Sequence, residues 1–195
     1  MTVGPVASGF DRRSIWPWLA IVFTLVAATF QLDYQGRLWL CSCGQFLPWV
    51  GEARSSNTSQ HLLDPYSFTH VLHGFVLFWL LGWLAPRLSW TWRLWLAVTV
   101  EAVWETIENS DFVIQRYREA GALGYFGDTI VNSLGDLACA LIGFLIVRQL
   151  GVRRSLIVFV LVEVVLILWI HDSLLLQILM LVRPIEAIKS WQVCG

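Results

Sequence analysis

Charge is scarce in this chain. Asp, Glu, Lys and Arg make up only 14% of its 195 residues, and the net charge is −1. A soluble domain carries about a quarter charged residues, so an ordinary water-exposed surface is excluded. The near-neutral balance offers no basic footprint, and nucleic acid is not an expected partner. The fingerprints of several common catalysts are also missing: there is no P-loop, no H-E-x-x-H, no G-x-S-x-G and no Rossmann glycine pattern. Internal repeats and low-complexity segments are absent. Cysteine is sparse, with four residues and no pair of C-x-x-C motifs. The single C-x-C, Cys41-Ser42-Cys43, is a weak zinc signal. One intervening residue looks too tight for an easy disulfide. Cys194 is therefore a candidate partner for either sulfur in an oxidising compartment, and Cys139 reads as a buried apolar filler.

What the chain does have is apolar length. Hydrophobic residues reach 57%. They gather in five runs, at about 14–31, 66–84, 92–109, 128–147 and 155–170, each close to the roughly 20 residues that cross a bilayer. An all-α polytopic membrane protein of about five spans is expected, with residues 1–195 forming one integral membrane domain. The segment Leu174 to Val182 is too short to span and reads as a re-entrant or interfacial helix. Twelve Trp, many near run ends, fit an interfacial aromatic belt. Arg12-Arg13 precede an apolar stretch without a clean cleavage site, so the first run is read as an uncleaved span. The connections 85–93 and 148–154 are basic and free of acids. They are assigned to the cytoplasm together with the N-terminus, and the 32–65 loop to the outer side of the membrane.

Against this apolar background, acids and histidines stand out. A charged side chain in hydrocarbon costs at least a few kcal/mol, which makes such residues functional candidates. His70 and His73 are spaced i, i+3. Glu101, Glu105 and Glu108 are spaced i, i+4, i+7. Asp128, Asn132 and Asp136 are spaced i, i+4, i+8. Each set shares a helix face. Alternating span directions place all three sets in the outer half or at the midplane. Clustered carboxylates in low dielectric must be protonated, paired with His or bound to a cation. His with carboxylates suits Zn, Mn or Fe. Plainer readings exist beside this one. The histidines could be interhelical hydrogen-bonding glue, and Glu108 and Asp128 could cap helices, Asp128 as the N-cap of the fourth span. Glu163 is a lone mid-span acid outside the set. In the outer loop, His61 and Asp64 lie just above the cluster.

The ordered motifs Cys41-Ser-Cys-Gly44, Ser59-Gln-His61, Asp64-Pro-Tyr66, Ser67-Phe-Thr-His70 with His73-Gly74, Trp104-Glu105 with Glu108-Asn-Ser110, Arg116-Tyr-Arg118, Gly127-Asp128, Asn132-Ser133 with Asp136, and Pro184-Ile-Glu-Ala-Ile188 together resemble one bacterial family. It is uncharacterised protein family 0314, also called domain of unknown function 2585. The resemblance runs from about residue 36 to 192. The family pattern has Trp where this chain has Pro65 and Pro where it has Asp111. The resemblance implies an integral inner-membrane protein and carries no activity. A looser likeness of layout exists to VanZ-like membrane proteins.

The leading functional expectation is a metal-dependent, membrane-embedded hydrolase or transferase acting on a lipid or lipid-linked substrate. His70, His73, Glu105 and Asp128 or Asp136 are the expected ligands of a divalent metal. Glu101, Glu105 and Asp136 are the catalytic candidates, with Glu101 or a neighbouring carboxylate as general base. His61, Asp64, Asn132 and Glu108 are the expected substrate contacts. Membrane lipid is the expected partner, with a homo-oligomer or a larger membrane complex as a further possibility. The alternatives are a proton- or cation-coupled binding or transport module, and a non-catalytic subunit.

Overall fold

The computed structural model describes residues 14–122 and 124–194. These fold into eight α-helices and no strand. The five expected runs become the five long helices: α1 Trp16–Tyr34, α2 Ser67–Leu84, α3 Trp90–Glu108, α5 Ile130–Leu150 and α6 Val152–Ile170. Three shorter helices complete the fold, α4 Asp111–Ala120, α7 Leu174–Val182 and α8 Glu186–Cys194. Helices α1, α2 and α5 are long and apolar enough to cross a membrane. α6 and α7, bent by 72° at their junction, qualify together as a broken span or re-entrant loop. α3 matches the others in length, but Arg93 and its three Glu lower its hydropathy. Arg12 and Arg13, which precede the first run, lie outside the described residues.

Hydrophobic packing sets the bundle. α2 lies closest to α5, and glycine permits that approach. A side chain at Gly74 would collide with the Ala140 carbonyl, and one at Gly143 with the Val71 carbonyl. Small residues at a helix interface let backbones touch where lipid supplies no hydrophobic drive. One end of the bundle is filled by Leu77, Leu81, Leu94, Ala97, Val98 and Phe144. The polar residues collect at the other end, where α2 and α5 begin and α3 finishes.

Local signals explain the boundaries. Ser89 and Ser110 cap α3 and α4 by accepting the Trp92 and Val113 amide hydrogens, as N-cap hydroxyls do. α5 is capped by Thr129, whose hydroxyl accepts the Asn132 N–H. This corrects the expectation for Asp128. It sits one residue too early to cap, and its carboxylate is free for the site. The α7 fold-back also has a cause. Both Glu163 oxygens accept α7 amide hydrogens, from Leu174 at 3.0 Å and Leu175 at 3.3 Å. The lone mid-span acid thus caps a returning helix.

Cys41 and Cys43 form a disulfide with each other, contrary to the expectation from their spacing. A turn makes it possible. Gly44 has φ 74°, its N–H reaches the Cys41 carbonyl at 3.2 Å, and the two Cα atoms stand 5.1 Å apart, inside the range a disulfide needs. Cys41 and Cys43 are thereby closed to Cys194.

Candidate metal centre

Three helices bring the acids and histidines to one place. His70 projects from the first turn of α2, Glu101 and Glu105 from the last two turns of α3, and Asp136 from the second turn of α5. All four are buried, and Glu105 is 0% exposed. The helical spacing aims each stripe at its neighbours, because i, i+3 and i, i+4 positions share a face.

Glu101 is the hub for the histidines. Its Oε1 lies 2.6 Å from His70 Nδ1 and 2.8 Å from His73 Nδ1. A carboxylate oxygen so close to both Nδ1 atoms suits an N–H on each, and in the neutral tautomer that follows each Nε2 carries the lone pair. The His70 Nε2 then faces Asp136 Oδ2 at 3.8 Å. Glu105 Oε1 is 3.3 Å from His70 Nδ1, but that nitrogen's single proton is directed to Glu101. Both Glu105 oxygens, Asp136 Oδ1 and Glu108 Oε2 consequently accept no hydrogen bond from the protein. Buried polar atoms are nearly always satisfied, so four bare carboxylate oxygens at one spot call for a cation or protons.

The ligating atoms fall into three overlapping groups that could hold a metal: His70, His73 and Glu101; His70, Glu105 and Asp136; and Glu105, Glu108 and Asp128. His70 links the first two and Glu105 the last two. The expected quartet of His70, His73, Glu105 and Asp128 is therefore divided. His73 belongs with Glu101, and Asp128 stands at the far side of Glu105.

Asp128 is held in a polar cradle. It accepts hydrogen bonds from Asn109 Nδ2 at 3.0 Å and the Tyr125 hydroxyl at 2.9 Å, and its N–H donates to Asn109 Oδ1 at 2.7 Å. Burial pushes its carboxyl above the ordinary range, against the pull of those donors. Arg37 clamps the same loop through the Asp128 and Phe126 carbonyls. Asn109 was not singled out for the site, although it continues the Glu101–Glu105 stripe at i+4. Tyr117 stood within the Arg116-Tyr-Arg118 motif with no role assigned, and Tyr125 was not singled out.

The cluster forms the floor of a cavity of about 390 Å³. His70, Glu108, Asp128 and Asp136 line it. So do Arg54, Tyr66, Tyr117, Tyr125 and Lys189, while Met180 and Leu181 of α7 supply an apolar wall. His61, Asp64 and Asn132 are not among the lining residues, although they were expected to contact substrate. Their polar groups serve the loop instead. Asp64 accepts the Ser59 and Tyr66 amide hydrogens, both at 2.7 Å. That carboxylate holds Ser59 in the left-handed region at φ 62°, a conformation costly for a residue with a side chain. Asn132 Nδ2 donates to the His61 carbonyl at 2.9 Å, and His61 Nδ1 accepts the Leu47 N–H at 3.3 Å. The cavity wall is formed instead by residues that sequence spacing did not mark.

Comparison with known proteins supplies the lineage. The family model described as "Protein of unknown function (DUF2585)" matches residues 32–194. The chain belongs to the DUF2585 family. Curated DUF2585 relatives are similar over nearly their whole length. A UPF0314 protein of Paracoccus denitrificans is 41% identical over 94% of this chain and 95% of its own. A UPF0314 protein of Brucella anthropi is 41% identical over 89% of each chain. UPF0314 protein R03235 of Rhizobium meliloti is 40% identical over 98% of each chain. No solved structure matches.

Proposed function

We propose that this DUF2585 protein is a membrane-embedded hydrolase or transferase that uses a divalent metal and acts on a lipid or lipid-linked substrate with an anionic head group. The observation that carries the reading is the set of unpartnered carboxylate oxygens on Glu105, Asp136 and Glu108 beside the free Nε2 of His70. In this reading His70, Glu105 and Asp136 hold the cation. Glu101 orients His70 and His73 through their Nδ1 protons rather than serving as the base. Glu108, which lines the cavity and has one oxygen without a hydrogen-bond partner, would take a proton. When bound, the metal would lower the pKa of a water and polarise an acyl or phosphoryl oxygen. Zn, Mn or Fe fits a His-carboxylate set.

The cavity supports the substrate class. Arg54 and Lys189 offer positive charge at a wall shared with three tyrosines, while Met180 and Leu181 offer apolar surface for a chain. In this reading the site opens to the periplasmic side of an inner membrane that α1, α2, α3, α5 and α6 all cross, with the N-terminus cytoplasmic. The apolar packing of Leu77, Leu81, Leu94 and Phe144 beneath the site favours an enzyme over a through-going path.

Metal analysis of the purified protein tests this. Wild type is expected to retain one equivalent of divalent metal, and His70→Ala and Glu105→Ala to lose it with the fold intact. A folded wild type that binds no metal after exposure to Zn, Mn and Fe would sink the proposal. Loss of folding in both variants would favour hydrogen-bonding glue.

A further inference from the structure

A second cluster of reactive groups stands apart from the metal centre, on the loop that follows α1. The Cys41–Cys43 disulfide closes a loop of one residue. In the chain-entropy account a disulfide stabilises in proportion to the logarithm of the loop it closes. This bond restrains almost nothing in the unfolded chain, and a stabilising role does not explain it. Its surroundings are those of a reactive pair. Cys43 is exposed, whereas Cys41 is 9% exposed. The Cys43 N–H donates to Cys41 Sγ at 3.1 Å. His61 Nε2 lies 4.0 Å from Cys43 Sγ. His61 Nδ1 is the acceptor of the Leu47 N–H, so the neutral ring carries its proton on Nε2, aimed at the sulfur. Around the pair, Trp39, Leu40, Phe46 and Leu47 are exposed apolar side chains, a surface on which a peptide segment can lie.

We propose that Cys41–Cys43 is a redox-active disulfide that exchanges with the paired thiols of a client protein, and that Cys43 is the sulfur attacked. A client thiolate attacks the accessible Cys43 Sγ. A client–Cys43 bond forms, the Cys41–Cys43 bond breaks, and Cys41 leaves as a thiolate that accepts the Cys43 N–H. The client's second thiolate then attacks its own bonded sulfur. Cys43 leaves as a thiolate facing the His61 Nε2–H. The client ends with one disulfide, and Cys41 and Cys43 end as two thiols, so two electrons and two protons have moved. The reverse sequence reduces a client disulfide. Access favours Cys43 as the sulfur attacked, and the Cys43 N–H supports Cys41 as the leaving thiolate. While the disulfide is closed, its sulfurs are not thiolates, and metal binding with His61 requires the reduced pair.

The test uses full-length protein in detergent. Equilibration in graded glutathione buffers, followed by thiol mass-tagging, is expected to show Cys41 and Cys43 opening and closing together and reversibly. A bond that stays closed in excess dithiothreitol, or never closes in oxidised glutathione, overturns the proposal. Trapping separates the two sulfurs. Cys41→Ser is expected to form a glutathione adduct at Cys43 about tenfold faster than Cys43→Ser forms one at Cys41; equal rates overturn the assignment. In the Cys41→Ser background, His61→Gln is expected to slow iodoacetamide labelling of Cys43 at pH 7 by about tenfold. No change removes His61 from the mechanism, and because the trapping comparison leaves His61 intact, a folding defect in that variant does not decide the outcome. Stoichiometric zinc on the reduced wild type that is lost in Cys43→Ser would overturn exchange in favour of a metal site.

Discussion

Replacing Glu105 by Gln is expected to stabilise the metal-free protein and to remove most of the stabilisation that a cation gives. Glu105 is 0% exposed and neither oxygen accepts a hydrogen bond. An ion left at such depth without compensating partners costs several kcal/mol. Gln keeps the shape, removes the charge and leaves Asp136 without a like charge beside it. In chelator the variant is expected to be more stable than wild type by about 2 kcal/mol. For a chain of this length that raises Tm by about 4–8 °C. A cation at a hundredfold excess over its Kd stabilises wild type by about 2.7 kcal/mol, or about 5–10 °C. Glu105→Gln loses most of that gain because a ligand oxygen has become a neutral amide. Thermal unfolding in detergent, with EDTA and then with Zn, Mn or Fe, reads both arms. A variant less stable than wild type in both conditions would refute the reasoning, since Glu105 would then be structural glue. A wild type whose Tm ignores every cation would refute it equally.

Three further outcomes are expected. Without a cation, stability should fall as pH rises above 3.8. Burial raises the Asp64 and Asp128 carboxyls above that value in the folded protein, so the native state holds protons that the unfolded state has released, and their contribution is lost as pH passes the folded values. Denaturant titrations from pH 4 to 8 check this, and a divalent cation should flatten the decline. Glu163→Gln removes one acceptor from the start of α7 and should cost about 1–2 kcal/mol, with faster hydrogen exchange at Leu174 and Leu175. Gly143→Val forces α2 away from α5 and should cost well over 2 kcal/mol, read as loss of the folded species on size-exclusion chromatography, whereas Gly36→Ala in open space should cost about 1 kcal/mol through its positive φ.

The long helices were legible because apolar length is a one-dimensional signal. The expected runs and the five long helices differ by three residues or fewer at every terminus, and even α3 is marked by its Glu spacing. α4 was not legible. Its apolar face, Val113 and Ile114, is too short to stand out in a segment rich in Arg and Glu. Spacing revealed which residues share a stripe but left open how far each helix is rotated and raised against the next. That is why spacing gathers the histidines and acids into one set but does not divide them into the groups that meet at His70 and Glu105. Depth and rotation turn on contacts such as Gly74 against Ala140, which no periodicity encodes.

The outer loop shows the same limit from another side. His61 and Asp64 lie close to the cluster along the chain, which made them natural substrate contacts. Their partners depend on turn geometry. With Ser59 in the left-handed region, its N–H points at Asp64, its carbonyl receives the Thr129 N–H at 3.0 Å, and Gln60 reaches the Gly127 carbonyl at 2.9 Å. One strained residue therefore ties the loop to the start of α5 and satisfies backbone groups that would otherwise be orphaned at the cavity edge. The polar side chains nearest the buried histidines and acids in sequence hold that edge shut. The cavity wall is left to Arg54, Lys189 and the tyrosines, which arrive from the outer loop, from α4 and the loop after it, and from α8. The lining of the cavity is thus a tertiary property, while its floor is a helical one.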